Sequence, residues 1–167
     1  MLVVGASVAA VLLLASGWRS VGPTGPVYAI VAHVALTCWA AVVGVPSAVL
    51  GSRWFVVGPR EPAVLRVLGV RLFGRLLDLV GWNAVITRER AWDGTRAGLG
   101  ELDLHTRRSE AAHLLCAGLT VPLAVAAAAV GRPGGAAWLL GTAVVVQIWP
   151  ALLQRLVRSR IQRLISR

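Results

Sequence analysis

The 167-residue sequence contains no lysine, and all seventeen of its basic residues are arginine. Its positive charge therefore cannot be lost by deprotonation, and every basic group is a planar fork matched to phosphate or carboxylate. Acidic residues are few, seven in all, leaving a formal net charge of +10. The two cysteines, Cys38 and Cys116, sit in apolar runs with no CxxC or Cys/His ligand spacing around them. Two free thiols and no disulfide are expected. No GxSxG, P-loop or GxGxxG occurs, so neither a hydrolase elbow nor a nucleotide-binding fold has support. What the chain has in quantity is apolar side chain, 57% of its residues. Beside so high a charge, that fraction describes a membrane protein, with membrane lipid and no nucleic acid among its expected partners.

Four apolar stretches predict an all-α integral membrane fold, a single membrane domain over 1–167 with four transmembrane helices in two hairpins. The spans fall at about 2–17, 27–50, 109–130 and 136–157, each close to or above the minimum that crosses hydrocarbon. Only Met1 precedes the first apolar core, without the charged leader of a secretory signal, so this segment is expected to be retained as a helix. The stretches SVGPTGP and GRPGG read as tight turns. Ten arginines lie in the central segment 51–108, five from Arg155 onward, and one in each short turn, Arg19 and Arg132. The positive-inside bias then places the central segment and both termini in the cytoplasm of a multi-pass cell-membrane protein.

Within the central segment, Val64, Leu65, Leu68, Leu72, Leu76 and Leu79 recur at three- and four-residue steps, interrupted by Arg66, Arg71, Arg75 and Asp78. This predicts a basic amphipathic helix over 62–81 in the headgroup layer. The stretch 83–104 is polar and glycine-containing and reads as loop with at most short helical turns.

Residues 105–113, HTRRSEAAH, form a polar cluster at the entry to the third span. Glu110 and His113 are three apart and share a helix face, with Arg107 three before Glu110. Ionisable groups in an apolar helix are costly and mark a functional site by default. Their matching chemistry is general base catalysis, His113 taking a proton from a hydroxyl and Glu110 orienting the ring. The competing account is anchoring: Glu110 favours a helix N-terminus and His113 is a satisfied polar contact. A metal site is disfavoured because the other three spans contain no Asp or Glu. His33, alone in the second span, reads as a hydrogen-bonded packing residue. The class that competes with an enzyme is a membrane scaffold or assembly protein with a basic lipid-binding segment. A transporter is disfavoured by the lack of midspan charge.

Taken as a set, three blocks resemble the integral-membrane family of glycosyl-4,4'-diaponeurosporenoate acyltransferases. RWFVVGPRE (53–61) matches an aromatic pair followed by arginine and glutamate in Trp54, Phe55, Arg60 and Glu61. TRRSEAAH (106–113) is similar to T-R-R-A-E-x-x-H. QIWPALLQRLVRSRI (147–161) keeps Gln154, Arg155, Arg158 and Arg160, but Gln147 stands where the family has asparagine, and Leu156 and Val157 replace a Tyr-Asn pair. The resemblance implies transfer of a fatty acyl group to a hydroxyl of a glycosylated carotenoid or similar glycolipid at the cytoplasmic face. It implies no bound cofactor, with acyl-CoA or acyl carrier protein as co-substrate. His113 and Glu110 would be catalytic, and Arg107, Arg108, Arg155, Arg158, Gln154 and Gln147 would bind substrate, Arg107 and Arg108 meeting the donor's phosphates or the developing oxyanion and Arg155 and Arg158 completing a basic mouth.

Overall fold

A computed structural model of the chain describes residues 1–82 and 95–166. Long runs of Ala, Val and Leu with few breakers make helices, and glycine and proline punctuate them. Helix α1 spans Leu2–Ser20 and α2 spans Pro26–Val43, with Pro26 at the first helical position, where a missing N–H costs nothing. Gly44, at φ 70°, ends α2 in the left-handed region that only glycine adopts cheaply. The second apolar stretch therefore stops short of residue 50, and Ser47–Leu50 forms a separate short helix, α3. A 3-10 turn follows at Arg53–Phe55, then α4 at Glu61–Val67 and α5 at Val70–Leu79.

The amphipathic stretch is thus two helices instead of the single one its spacing predicts. Gly69, at φ 76°, breaks it, and of the six periodic apolar residues only Leu65 is buried. Helix α6 runs Leu99–Ala129, so Leu99–Leu104, expected as loop, is helical, and the third span starts ten residues upstream of its predicted boundary. Charge pairing within the helix, Asp103 to Arg107 across one turn, supports that extension. Residues 95–98 are loop with bend and turn, as expected, and the rest of the predicted loop, 83–94, lies outside the described residues. Helix α7 spans Pro133–Ala143, a π turn occupies Val144–Ile148, and α8 spans Trp149–Ile165. The fourth helical stretch accordingly begins earlier and continues further than 136–157. Among the described residues there is no strand, and Leu2–Ser20, Pro26–Val43, Leu99–Ala129 and Pro133–Ile165 are each long and apolar enough to cross a membrane. The chain is a multi-pass membrane protein.

Its contacts divide into two compact units. Unit 1 comprises Met1–Val45 and Ala112–Ile148, and unit 2 comprises Pro46–Ala111 and Trp149–Arg167. In unit 1 the core is built from small residues: Ala29, Ala32, Ala124 and Ala127 pack with Tyr28 and Leu139. Hydrocarbon offers no hydrophobic incentive for helices to associate, so close backbone approach through alanine and glycine supplies the attraction. Gly135 shows the limit of that approach, since a Cβ there would overlap the Pro23 carbonyl. Between α1 and α2, Trp39 Nε1 donates to Ser7 Oγ at 3.0 Å. Unit 2 has conventional apolar clusters, Leu65, Val70 and Leu156 in one and Leu99, Leu102 and Ile161 in another.

Candidate functional site

Unit 1 lines up polar side chains among apolar ones, with His33 and Gln147 buried, His113 half-buried and Thr37 exposed. His33 and Thr37 stand one turn apart on α2. His33 Nε2 lies 3.2 Å from the carbonyl oxygen of Leu139 on α7. A main-chain carbonyl only accepts, so this nitrogen carries the proton, and in the neutral ring Nδ1 is then an acceptor. The amide nitrogen of Gln147 lies 3.4 Å from that Nδ1 and 3.1 Å from Thr37 Oγ1, and donates to both. Its oxygen is left to accept, and it does so from His113 Nδ1 at 2.8 Å. With Nδ1 protonated, the lone pair of the His113 ring sits on Nε2.

The π turn is what brings Gln147 into this line. A π turn holds one residue more than an α-helix needs and rotates the residues after it by about 100°. Gln147 is completely buried, whereas Val144, Val145 and Val146 before it are all exposed. The fully covered amide has both its oxygen and its nitrogen engaged, which is the condition for burying it at all. Also in this unit, the Cys116 thiol donates to the Leu36 carbonyl, and both cysteines are free thiols.

Unit 2 gathers full charges instead. Glu110, 2% exposed, accepts from Arg155 Nη1 at 3.0 Å and forms an ion pair with Arg158. Arg155 also donates through Nε to Glu61 at 2.8 Å and through Nη1 to the Trp54 carbonyl at 2.9 Å. Arg107 donates to Asp103 at 2.7 Å and to the Leu50 carbonyl at 3.0 Å. Phe55 presents its ring to two guanidinium groups, Arg158 at 5.2 Å and Arg107 at 6.0 Å, and Trp54 to Arg155 at 5.4 Å. All three are cation–π distances. Gln162 completes the grip, donating to the Phe55 carbonyl and accepting from Val57 N–H. Three arginines face three carboxylates, so the assembly is close to neutral. Burial pushes the Glu61 carboxyl up, but the Arg155 hydrogen bond, with that of Gly58 N–H and the charges of Arg155 and Arg158, holds it below its ordinary value of 4.5.

The sequence-predicted residues are distributed over both units. His113 and Gln147 meet in unit 1. Arg107, Glu110, Arg155 and Arg158 meet in unit 2, while Arg108 is exposed and Gln154 is buried on α8. Within its own unit the His113 ring nitrogen pairs with Gln147, and the Glu110 carboxylate pairs with Arg155 and Arg158. Two permanent cations satisfy a buried carboxylate far better than a neutral imidazole does. His33 and Thr37, which hold Gln147, are the residues that sequence reasoning left outside the site. Their one-turn spacing in an otherwise apolar span was the available signal. Asp103, four residues before Arg107, was another. Among the described residues, no three His, Cys, Asp or Glu side chains gather around a common point for a metal ion.

The molecule is thus a polytopic helical membrane protein with an imidazole held on a buried amide in one unit and an arginine–carboxylate network in the other. Residues 46–167 match the family model described as glycosyl-4,4'-diaponeurosporenoate acyltransferase. The match covers well over half of the chain, and the chain belongs to this family. No curated protein and no solved structure matches it. His33 and Thr37 lie ahead of the matched residues.

Proposed function

We propose that the chain transfers a fatty acyl group to a hydroxyl of a lipid-soluble acceptor, a glycosylated carotenoid or another glycolipid, at the cytoplasmic face of the cell membrane. The observation that carries the reading is the His113 ring, whose Nδ1 is held by Gln147 at 2.8 Å, so that Nε2 is the basic nitrogen. The family's name supplies the reaction class. Nε2 takes the proton of the acceptor hydroxyl as its oxygen attacks the thioester carbonyl of the donor, acyl-CoA or acyl carrier protein. The tetrahedral oxyanion collapses with cleavage of the C–S bond, the imidazolium returns its proton to the departing thiolate, and an ester remains.

Arg108, exposed on α6, suits the donor's phosphates. Arg107, Arg155 and Arg158 act on the donor through the segment they hold, residues 53–61. Glu110 is the charge on which two of these arginines converge. With the termini and the arginine-rich central segment on one side, the donor arrives from the cytoplasm.

The test uses membranes containing the chain, supplied with a fatty acyl-CoA and a glycosylated carotenoid acid. A product heavier than the acceptor by one acyl group is expected, and His113→Ala at equal membrane level abolishes it. Equal product from wild type and His113→Ala would remove His113 from the reaction, and no product from either would favour a membrane scaffold.

A further inference from the structure

We propose that His33 is a positioning residue: acting through Gln147, it holds the His113 ring in the Nδ1–H tautomer. The proposal rests on His113 being the base of the reaction above, although its structural half stands without that reading. His33 lies outside the part of the chain that matches the family, and no reactant needs to touch it.

Direction along the hydrogen-bonded line is what His33 controls. A glutamine amide has one accepting end and one donating end, and in isolation it serves a neighbouring histidine equally well either way round. Turned one way, it accepts from His113 Nδ1 and leaves Nε2 basic. Turned the other, it donates to His113 Nδ1, the ring proton moves to Nε2, and the base is lost. Gln147 itself cannot choose, and Thr37 does not force the choice, because a hydroxyl both donates and accepts. The Leu139 carbonyl decides. It can only accept, from His33 Nε2 at 3.2 Å, which makes His33 Nδ1 an acceptor and turns the Gln147 nitrogen toward it at 3.4 Å. The oxygen then faces His113. A group that merely packed between helices would impose no such direction.

The sequence contains three histidines, His33, His105 and His113, few enough to resolve ring by ring. Purified protein labelled with 15N in its histidine rings, in detergent micelles, is examined by long-range proton–nitrogen correlation at a pH where the rings are neutral. Wild type is expected to show His113 protonated on Nδ1 and His33 on Nε2. His33→Phe is expected to shift His113 toward the Nε2–H form. His33→Gln, whose amide accepts from Gln147 and donates to the carbonyl, is expected to restore Nδ1–H. In acyl transfer, His33→Phe lowers kcat on the order of 10- to 100-fold, as loss of an outer partner does for other functional histidines, with KM little changed. A wild-type His113 protonated on Nε2 overturns the proposal without recourse to any variant. So does a folded His33→Phe protein that keeps His113 wholly in the Nδ1–H form. If the tautomers follow the expected pattern but wild type transfers no acyl group, the positioning holds and the acyltransferase reading alone falls.

Discussion

The two units hold polar groups inside a membrane protein by opposite means. Unit 1 uses neutral groups only, His33, Thr37, Gln147 and His113, joined by hydrogen bonds between 2.8 and 3.4 Å. Unit 2 uses charges, three arginines against three carboxylates, with aromatic rings beneath the guanidinium groups. In the first, no single bond carries much energy, but the order of donors and acceptors carries information. In the second, each charge is expensive to bury and is tolerable only because its partner is present. Disturbing the hydrogen-bonded line of unit 1 should therefore alter chemistry more than stability, and breaking a buried ion pair of unit 2 should lower stability first.

The sharpest way to break that contrast is His113→Ala. Acyl transfer is expected to fall by about 10²- to 10⁴-fold, the usual contribution of a general base, with stability lowered by only about 1–3 kcal/mol because the buried Gln147 oxygen loses its donor. A collapse of stability would mean that the unit 1 line is structural. Next in size is Glu110→Ala, which leaves Arg158 buried without its counter-charge and is expected to destabilise by about 3–5 kcal/mol, read by chemical denaturation. The double variant Glu110→Leu with Arg158→Leu removes both charges, and it should recover most of that loss. Failure to recover it would show that the network does more than neutralise itself.

A smaller effect comes from acid. Because the folded-state carboxyl of Glu61 titrates below its ordinary 4.5, its contribution is fully present above that pH and is lost as pH falls through the depressed value. The protection factor of the Gly58 amide, which donates to Glu61, is expected to fall as pH drops below 4.5, and Glu61→Gln should remove this pH dependence. The smallest expected effect on stability is that of Arg108→Ala, an exposed residue, which leaves unfolding unchanged and weakens only the apparent affinity for a phosphate-bearing donor.

How far the sequence alone reached depends on the same division. Four apolar stretches announced the helices because length and composition are enough to define a span. Their ends were read less well. Gly44 and Gly69 adopt positive φ and cut helices that hydrophobic spacing runs together, while the Asp103–Arg107 pair extends α6 into a stretch whose polarity looked like loop. At the site, the residue types were visible but not their pairing. Glu110 and His113 share a face by spacing, yet each found a stronger partner far away in sequence, Arg155 and Arg158 for one and Gln147 for the other. Helical periodicity shows which residues are neighbours on one helix and is silent about which charge arrives from another.

The π turn at Val144–Ile148 amounts to one residue of surplus length, and surplus length can be removed. Deleting any one of the three valines would let the segment relax into an ordinary α-helix with better-formed hydrogen bonds, while swinging the Gln147 amide about 100° away from both histidines. Regularity and function are opposed at this point. A chain engineered for a straighter, more stable fourth helix would lose the group that tells His113 where to carry its proton.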